Sequence, residues 1–395
     1  MSLITTDGSK TLYTYFPEAT AGTPAAGAYQ TLRSKIGVKL DLKRDTFMSK
    51  ERRSDRMEGA MVYGNTSGSI DIPVEWSYGT YDDLIAAVMG DTTAAGSATW
   101  GSNICKIGNN VKTYSVEETA TELGITEIGI GAQFSSFSIS QKNNGIAEGN
   151  ISGLLRDIAV AQTTGVTIAV DATAKTITRT GAGFNTLDGF PLVTAGLPLL
   201  KVSMKGNTDA GNNDTVWTVT TLTDTVMTFT TMAGAVTKTA TAGITVNQAS
   251  NSTSVVAATT IAPFNSFTGT IQEGGNTIAY VTGWDLKVDQ ATQPNYVLAS
   301  DSAQSISVGT IKVSGTLTVY YVDESLRKKF VNGVATSLKL IMGSVAATKA
   351  YTFDLGTVKY TSNSRDDAEL ARIETLAFAA TYTATDTTLK ITRTP

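Results

Sequence analysis

Histidine is absent from all 395 residues. The commonest general base, the commonest zinc ligand and the physiological pH switch are therefore missing together. Cysteine occurs once, as Cys105, which excludes an intrachain disulfide and a cysteine metal cluster. A lone thiol of this kind is expected to be a small buried hydrophobe. Only 17% of residues are charged, and the net charge is −4. A protein that grips nucleic acid needs a positive footprint to displace counterions from phosphate, and the overall balance supplies none. No apolar run approaches the roughly 20 residues that cross a bilayer. The opening residues Met1-Ser2-Leu3-Ile4-Thr5-Thr6-Asp7-Gly8 show neither a basic n-region nor an apolar h-region, so no signal peptide is expected and synthesis is placed in a cytoplasm.

What is present is β-forming. Hydrophobic residues make up 41% of the chain, and glycine occurs 36 times. With abundant Thr, Ser and Ala, this mix favours strands and turns over long helices. The length allows two or three domains. One supersecondary pattern occurs twice. The first copy is Ser67-Gly68-Ser69-Ile70-Asp71-Ile72-Pro73-Val74-Glu75-Trp76 followed by Tyr81-Asp82-Asp83-Leu84-Ile85-Ala86-Ala87-Val88-Met89-Gly90. The second is Ser314-Gly315-Thr316-Leu317-Thr318-Val319-Tyr320-Tyr321 followed by Asp323 to Gly333. Each reads as an alternating strand, then a short capped helix ending at glycine. Such repetition points to two equivalent domains and puts assembly ahead of catalysis.

Within the first copy, Ile70, Ile72, Val74 and Trp76 share one strand face. Pro73 cannot donate to a ladder and needs a bulge or an edge position. Thr80 is the expected N-cap with Asp83 as a short capping box. Tyr81, Leu84, Ile85 and Val88 form the buried stripe, and Gly90 closes the helix. In the second copy Asp323 is the expected N-cap, and Leu326, Phe330 and Val331 form the stripe. Residues up to about Gln30 read as an irregular arm. Val38 to Lys43 alternate as a strand, and so do Trp284 to Asp289. Further strands are expected at Lys112–Glu117, Ile128–Phe134 and Phe137–Gln141, with Lys142-Asn143-Asn144-Gly145 as a turn. Residues 44–65 show no clean period and read as a long connection, which tends to be functional in a compact β domain. Their centre, Lys50-Glu51-Arg52-Arg53-Ser54-Asp55-Arg56, mixes both charge signs, which suits pairing with a neighbouring subunit.

Three domains result: a first β unit over 1–160, a small all-β domain over 161–257, and a second β unit over 258–395. The middle one is Thr-, Val- and Gly-rich, with Asn247–Ser254 as its linker.

The segments Glu51-Arg52-Arg53-Ser54-Asp55-Arg56 and Ser77-Tyr78-Gly79-Thr80-Tyr81-Asp82-Asp83-Leu84 resemble those of tail tube proteins of long-tailed, non-contractile (siphovirus-like) bacteriophages. Phe267-Thr268-Gly269-Thr270-Ile271, Ile278-Ala279-Tyr280-Val281-Thr282, the second signature strand and Thr388 to Thr394 are similar to that family in the same order. Arg52 departs from the pattern, where an apolar residue is common. The middle domain resembles small inserted modules of some members. The resemblance implies a mainly β fold: two tandem tail-tube β-sandwich or barrel domains, each with a short flanking helix, around an inserted β domain. It implies a virion tail protein made in the host bacterial cytoplasm. It also implies stacked rings that form a hollow conduit for genome ejection. A duplicated member would form a trimer with pseudo-sixfold symmetry, with a hexamer as the alternative. The implied partners are further copies of the chain, the tape measure protein, the tail terminator and the tail-tip proteins. Genomic DNA would pass without specific binding, and no membrane segment is implied. Lys50, Glu51, Arg52, Arg53, Asp55 and Arg56 are the candidates for ring stacking and inter-subunit contact. Asp41, Asp71, Glu75, Asp285 and Asp289 are the candidates for the bore.

Neither a catalytic group, a cofactor nor a metal is expected. The acidic pairs Asp82-Asp83, Glu117-Glu118 and Asp366-Asp367 are poor dyads, because strand neighbours face opposite ways and helix-start acids serve the dipole. A tail glycosidase would need two carboxylates across a cleft. The other reading is a surface-exposed β-rich adhesin or host-binding tail component. Trp76, Trp284, Tyr320 and Tyr321 are expected in core or cross-strand packing.

Overall fold

Three groups of elements follow one another along the chain. The first holds β1 (Thr11–Pro17), β2 (Gly27–Thr31), β3 (Lys39–Met48), β4 (Met61–Glu75), α1 (Asp82–Met89), β5 (Ile104–Lys106), β6 (Tyr114–Ala120), β7 (Ile125–Lys142), β8 (Glu148–Leu155) and β9 (Asp157–Ala159). The second holds β10 (Gln162–Asp171), β11 (Thr176–Arg179), β12 (Leu200–Lys205), β13 (Trp217–Leu222), β14 (Val226–Phe229) and β15 (Lys238–Ala249). The third holds β16 (Ser252–Val256), β17 (Thr270–Glu273), β18 (Asn276–Thr277), β19 (Val281–Asn295), β20 (Ser305–Tyr320), α2 (Ser325–Val331), β21 (Thr336–Met342), β22 (Ala350–Arg365), β23 (Ile373–Ala380) and β24 (Lys390–Thr394). The computed structural model describes residues 8–24, 26–51, 55, 57–91, 100, 103–181, 183–191, 200–343, 349–366, 371–383 and 387–395. It is mainly β, with 58% strand and 6% helix.

The two outer groups repeat one pairing scheme. In the first, β3 pairs β4, β4 pairs β8, and β8 pairs the second half of β7. In the third, β19 pairs β20, β20 pairs β23, and β23 pairs the second half of β22. The first half of β7 lies between β6 and β9, as the first half of β22 lies between β21 and β24. The repeated glycine has one job in both copies. A Cβ on Gly68 would meet Leu155 Cβ at 2.6 Å, and one on Gly315 would meet the Asp285 carbonyl oxygen at 2.1 Å and the Phe378 ring at 2.6 Å. Only glycine leaves room for the crossing side chain.

The units are joined edge to edge. β19 pairs β7 from Gly283↔Lys142 to Asp289↔Ser136, and β5 pairs β24. One apolar core spans both units, with Trp76, Phe137, Trp284 and Phe353 among its largest members. The middle group closes as a six-stranded barrel, β10-β11-β14-β13-β12-β15, around its own core of Phe184, Phe190, Trp217 and neighbours.

Several expectations need correction. The described part of the N-terminal arm is not irregular: Leu12 to Phe16 are β-favouring, and β1 pairs β2 and β6; residues 1–7 lie outside the described residues. The 44–65 connection is largely a hairpin, because β3 runs on to Met48 and β4 begins at Met61. A bulge between Arg44 and Thr46 breaks the period and hides the strand. Asn247–Ser254 is not a linker. It ends β15 and begins β16, which pairs β2 in parallel. Thr80 does not cap α1; its Oγ1 bonds Ser77 and Thr259 at 2.6 and 2.5 Å, and the cap position is Tyr81. In α2 the cap position is Glu324, although Asp323 still accepts the Ser325 N–H at 2.7 Å. Val331 is 68% exposed, so the α2 stripe reduces to buried Leu326 and half-buried Phe330. Other readings hold. Gly90 is left-handed at φ 62° and takes the C-cap. Asn144 turns the β7–β8 hairpin at φ 60°. Pro73 lies past the last β3 rung, so its missing N–H breaks no ladder bond there.

Candidate functional site

Following the pairing across the chain gives the order β3-β4-β8-β7-β19-β20-β23-β22. One face of this sheet packs on the core through Ile70, Ile72, Ile151, Phe137, Ile139, Leu286, Val288, Leu317 and Val319. Alternation sends the residues between them to the opposite face. Asp41 lies opposite Ser69, Asp71 opposite Ser152, and Glu75 opposite Glu148. Ser136 and Ser140 of β7 then lie opposite Asp289 and Asp285. All five candidate carboxylates therefore share one polar face.

That face is not purely acidic. Lys39 stands opposite Asp71, Lys312 opposite Asp289, and Lys287 lies 3.6 Å from Asp289. Lys35 offsets the Glu75–Glu148 like-charge pair by reaching Glu148 at 2.6 Å. Neutral partners fill the rest: Asn150 donates to Asp71, Thr316 donates to Asp285 at 2.8 Å, and Ser136 bonds Ser152 at 2.6 Å. The result is a polar surface that interleaves both signs of charge.

The sheet ends in two open edges. Among the described residues, no strand pairs with the outer side of β3 or with the free side of Lys359–Arg365 in β22. The β3 edge carries Lys39, Asp41, Leu42, Lys43 and Arg44. Beside the β22 edge, Arg365 binds Glu324 at 2.8 Å and Glu374 at 3.4 Å, and its guanidinium covers the Tyr321 ring at 4.3 Å. Hydrogen bonds from Arg365 and Tyr321 hold the Glu324 carboxyl down at about 2. Asn363 donates to the buried Glu374 at 2.5 Å.

The two helices differ in surroundings. α1 is buried nearly all round at the junction of the units. Its Asp82 meets Arg393 of β24 and the Tyr351 hydroxyl of β22, and Arg393 also grips Asn103. Sequence reading assigned Asp82 to the helix dipole alone; only the fold brings it to Arg393. α2 makes its ion pairs within its own unit and leaves Val331 in solvent.

The long hairpin projects beyond β8. Phe47, Met48, Met61, Val62 and Tyr63 are exposed along it. Lys50, Glu51 and Asp55 are exposed at its tip; Arg52, Arg53 and Arg56 lie outside the described residues. Its inner end is held by the tip of the β19–β20 hairpin, where Arg44 pairs Asp301 at 3.2 Å and Thr66 N–H donates to the Asp301 carbonyl at 2.7 Å.

Trp76 and Trp284 are core, Trp76 edge-on to Tyr81 and Phe137. Tyr320 is exposed but stands in the expected cross-strand position, opposite Ile373 of β23, whereas Tyr321 lies beyond β20 under Arg365. Cys105 is buried. Among the described residues, no group of three or more Cys, Asp or Glu is placed to hold a metal ion, and no helix is long and apolar enough to cross a membrane.

These features define a structural β protein made of two tandem copies of one sheet-and-helix unit, with unsatisfied strand edges at both ends. A family model for the phage tail tube protein matches residues 8–216 and again 202–389. The chain belongs to that family, and membership makes it a structural component of a phage tail. No curated protein matches the chain.

Proposed function

We propose that three copies of this chain close into a ring of pseudo-sixfold symmetry, and that rings stack into the tail tube. The observation that carries this reading is the β7·β19 junction. The open side of β22 corresponds to the side of β7 that takes β19, and β3 corresponds to β19. One contact already made within the chain, repeated between chains, consumes every open edge of the sheet. Two units per chain place six around a ring of three. A six-copy ring is the alternative stoichiometry.

In this arrangement the polar face carrying Asp41, Asp71, Glu75, Asp285 and Asp289 lines the bore of a siphovirus-like tail. Interleaved lysines keep it close to neutral, and a chain with no positive excess gives DNA no net counterion release. Genomic DNA, and before it the tape measure protein, would pass without specific binding. The long hairpin, with Lys50, Glu51, Arg52, Arg53, Asp55 and Arg56 at its end, contacts the next ring, and the tail terminator and tail-tip proteins cover the last rings. The chain divides as 1–160, 161–257 and 258–395, with the middle barrel on the outside as decoration. Negative-stain electron microscopy of purified protein tests the reading. Rings or tubes of uniform bore with three copies per ring are the expected result. A monomer that stays dispersed at high concentration under all conditions overturns it.

A further inference from the structure

The internal junction supplies a register for a contact between chains. Gly68 opposite Leu42 and Gly315 opposite Leu286 mark the same place in the two units. Lys43, opposite Ser67, therefore stands where Lys287 stands opposite Ser314. Across the junction, Ser138 lies on one rung with Asn150 and Pro73. Pro73 lies five residues after Gly68, as Tyr320 lies five after Gly315. The matching rung of the second unit runs from Tyr320 through Ile373, whose carbonyl accepts the Asp366 N–H at 2.9 Å. Asp366 thus stands where Ser138 stands. Inside the chain Ser138 lies opposite Lys287. The same contact made between chains sets Asp366 of one copy opposite Lys43 of the next.

We propose that Lys43 pairs with Asp366 of the neighbouring copy, and that this pair sets the register in which the ring closes. The inference rests on ring closure through β3 and β22. Both side chains are exposed, and neither has an ion-pair partner among the described residues. Both lie on the polar face, since Lys43 alternates with Leu42 and Asp366 with Arg365. Opposite charges directly across a strand pair attract, and like charges repel. Asp41 and Asp45 flank Lys43 two residues to either side. A shift of two residues in either direction sets Asp366 against one of these carboxylates. A shift of one turns the core faces outward. On the core side Arg44 arrives opposite Arg365, whose charge is already answered by Glu324 and Glu374. The Glu324 side chain is 44% exposed, which leaves a carboxylate open to the incoming cation. Within the chain, Lys287 meets only the neutral Ser138, which tells one register from another far less well.

Charge reversal in the full chain tests the pair, read by sedimentation velocity over a concentration series at low salt. Lys43→Asp and Asp366→Lys each turn attraction into repulsion and should weaken every junction about tenfold. For a ring closed by three junctions, the assembly midpoint should rise roughly thirtyfold. The double variant Lys43→Asp with Asp366→Lys restores the attraction with its sign exchanged. It should assemble within about threefold of the wild-type midpoint. All three variants should keep the wild-type urea midpoint, because both positions are exposed. Single variants that assemble at the wild-type midpoint overturn the pair while leaving the ring intact. A double variant no better than the singles also overturns it, since the two charges then act on other groups. A wild type that never assembles removes the ring and the pair together.

Discussion

Leu42 is the most informative residue to change. It sits on the open β3 edge opposite Gly68, as Leu286 sits opposite Gly315 in the second unit. Leu286 is 1% exposed because β7 covers it, whereas Leu42 is 46% exposed. If a neighbour's β22 covers β3 as β7 covers β19, Leu42 loses the remaining half of its exposure. Full burial of a leucine contributes about 1.5–3 kcal/mol, so that half contributes about 1 kcal/mol per junction. Leu42→Asp removes this gain and places an unpaired carboxylate in a dry contact, which costs a further several kcal/mol. A net loss of about 4 kcal/mol weakens each junction about a thousandfold. The isolated chain should be indifferent, since surface changes stay within about 0.5 kcal/mol. Sedimentation velocity over a concentration series is the assay. The variant should remain monomeric where the wild type assembles, with an unchanged urea midpoint. Leu286→Asp should instead destabilise the monomer itself. Assembly of Leu42→Asp at wild-type concentration, with rings of normal size, would refute β3 as a junction strand.

Two other outcomes test separate parts of the argument. Burial and the adjacent Asp82 push the Asp83 carboxyl up to about 6, so in its ionised form it opposes folding. That deficit is complete above pH ~6 and gone below ~4. Asp83→Asn should therefore stabilise the chain by about 2 kcal/mol at pH 7.5 and by nothing near pH 4, read as denaturant midpoints at the two pH values. For the long hairpin, replacing 49–60 with a two-residue turn should leave ring formation intact and prevent stacking. Electron micrographs should then show single rings, and full-length tubes would remove the hairpin from the ring-to-ring contact.

Legibility followed the range of the interactions. The signature strands, the α1 stripe and the Gly90 stop are local: alternation, helical spacing and a left-handed residue are written in adjacent positions. The barrel was visible as a change of texture, but its exit was misread, because Asn247 and Asn251 look like linker residues until Glu117 is seen to bury the segment. The N-terminal strands and the outer hairpin were hidden for other reasons. β1 is paired along its whole length only by β6, far along the chain, and the bulge near Asp45 interrupts the period that would reveal β3. The candidate carboxylates were found by alternation alone. The same alternation puts both signs of charge on the outward faces, but which lysine stands opposite which carboxylate needed the register, because nothing in one strand tells what its neighbour will place alongside.

The internal junction and the proposed inter-chain one draw on different chemistry, and this bears on how a duplicated chain would assemble in order. Inside the chain the β7·β19 contact is apolar on its core face: Phe137 meets Val288, and Ile139 meets Leu286. At the open edges Leu42 stands in the place of Leu286, but Arg44 stands in the place of Val288 on β3 and Arg365 in the place of Phe137 on β22, with Asn363 two residues before it. An exposed apolar edge recruits any strand it meets, whereas charges on an edge suppress such pairing until a matching partner presents the opposite sign. Duplication lets the apolar junction form within one chain, where partners are already neighbours and closure is fast. It leaves the charged edges for contacts between chains, where specificity matters more than strength. The ring-to-monomer balance should accordingly respond to ionic strength far more than the fold does. Raised salt should shift the assembly midpoint in sedimentation while leaving the unfolding midpoint of the monomer in place. Equal sensitivity of both would mean that the inter-chain edges are as apolar as the internal one.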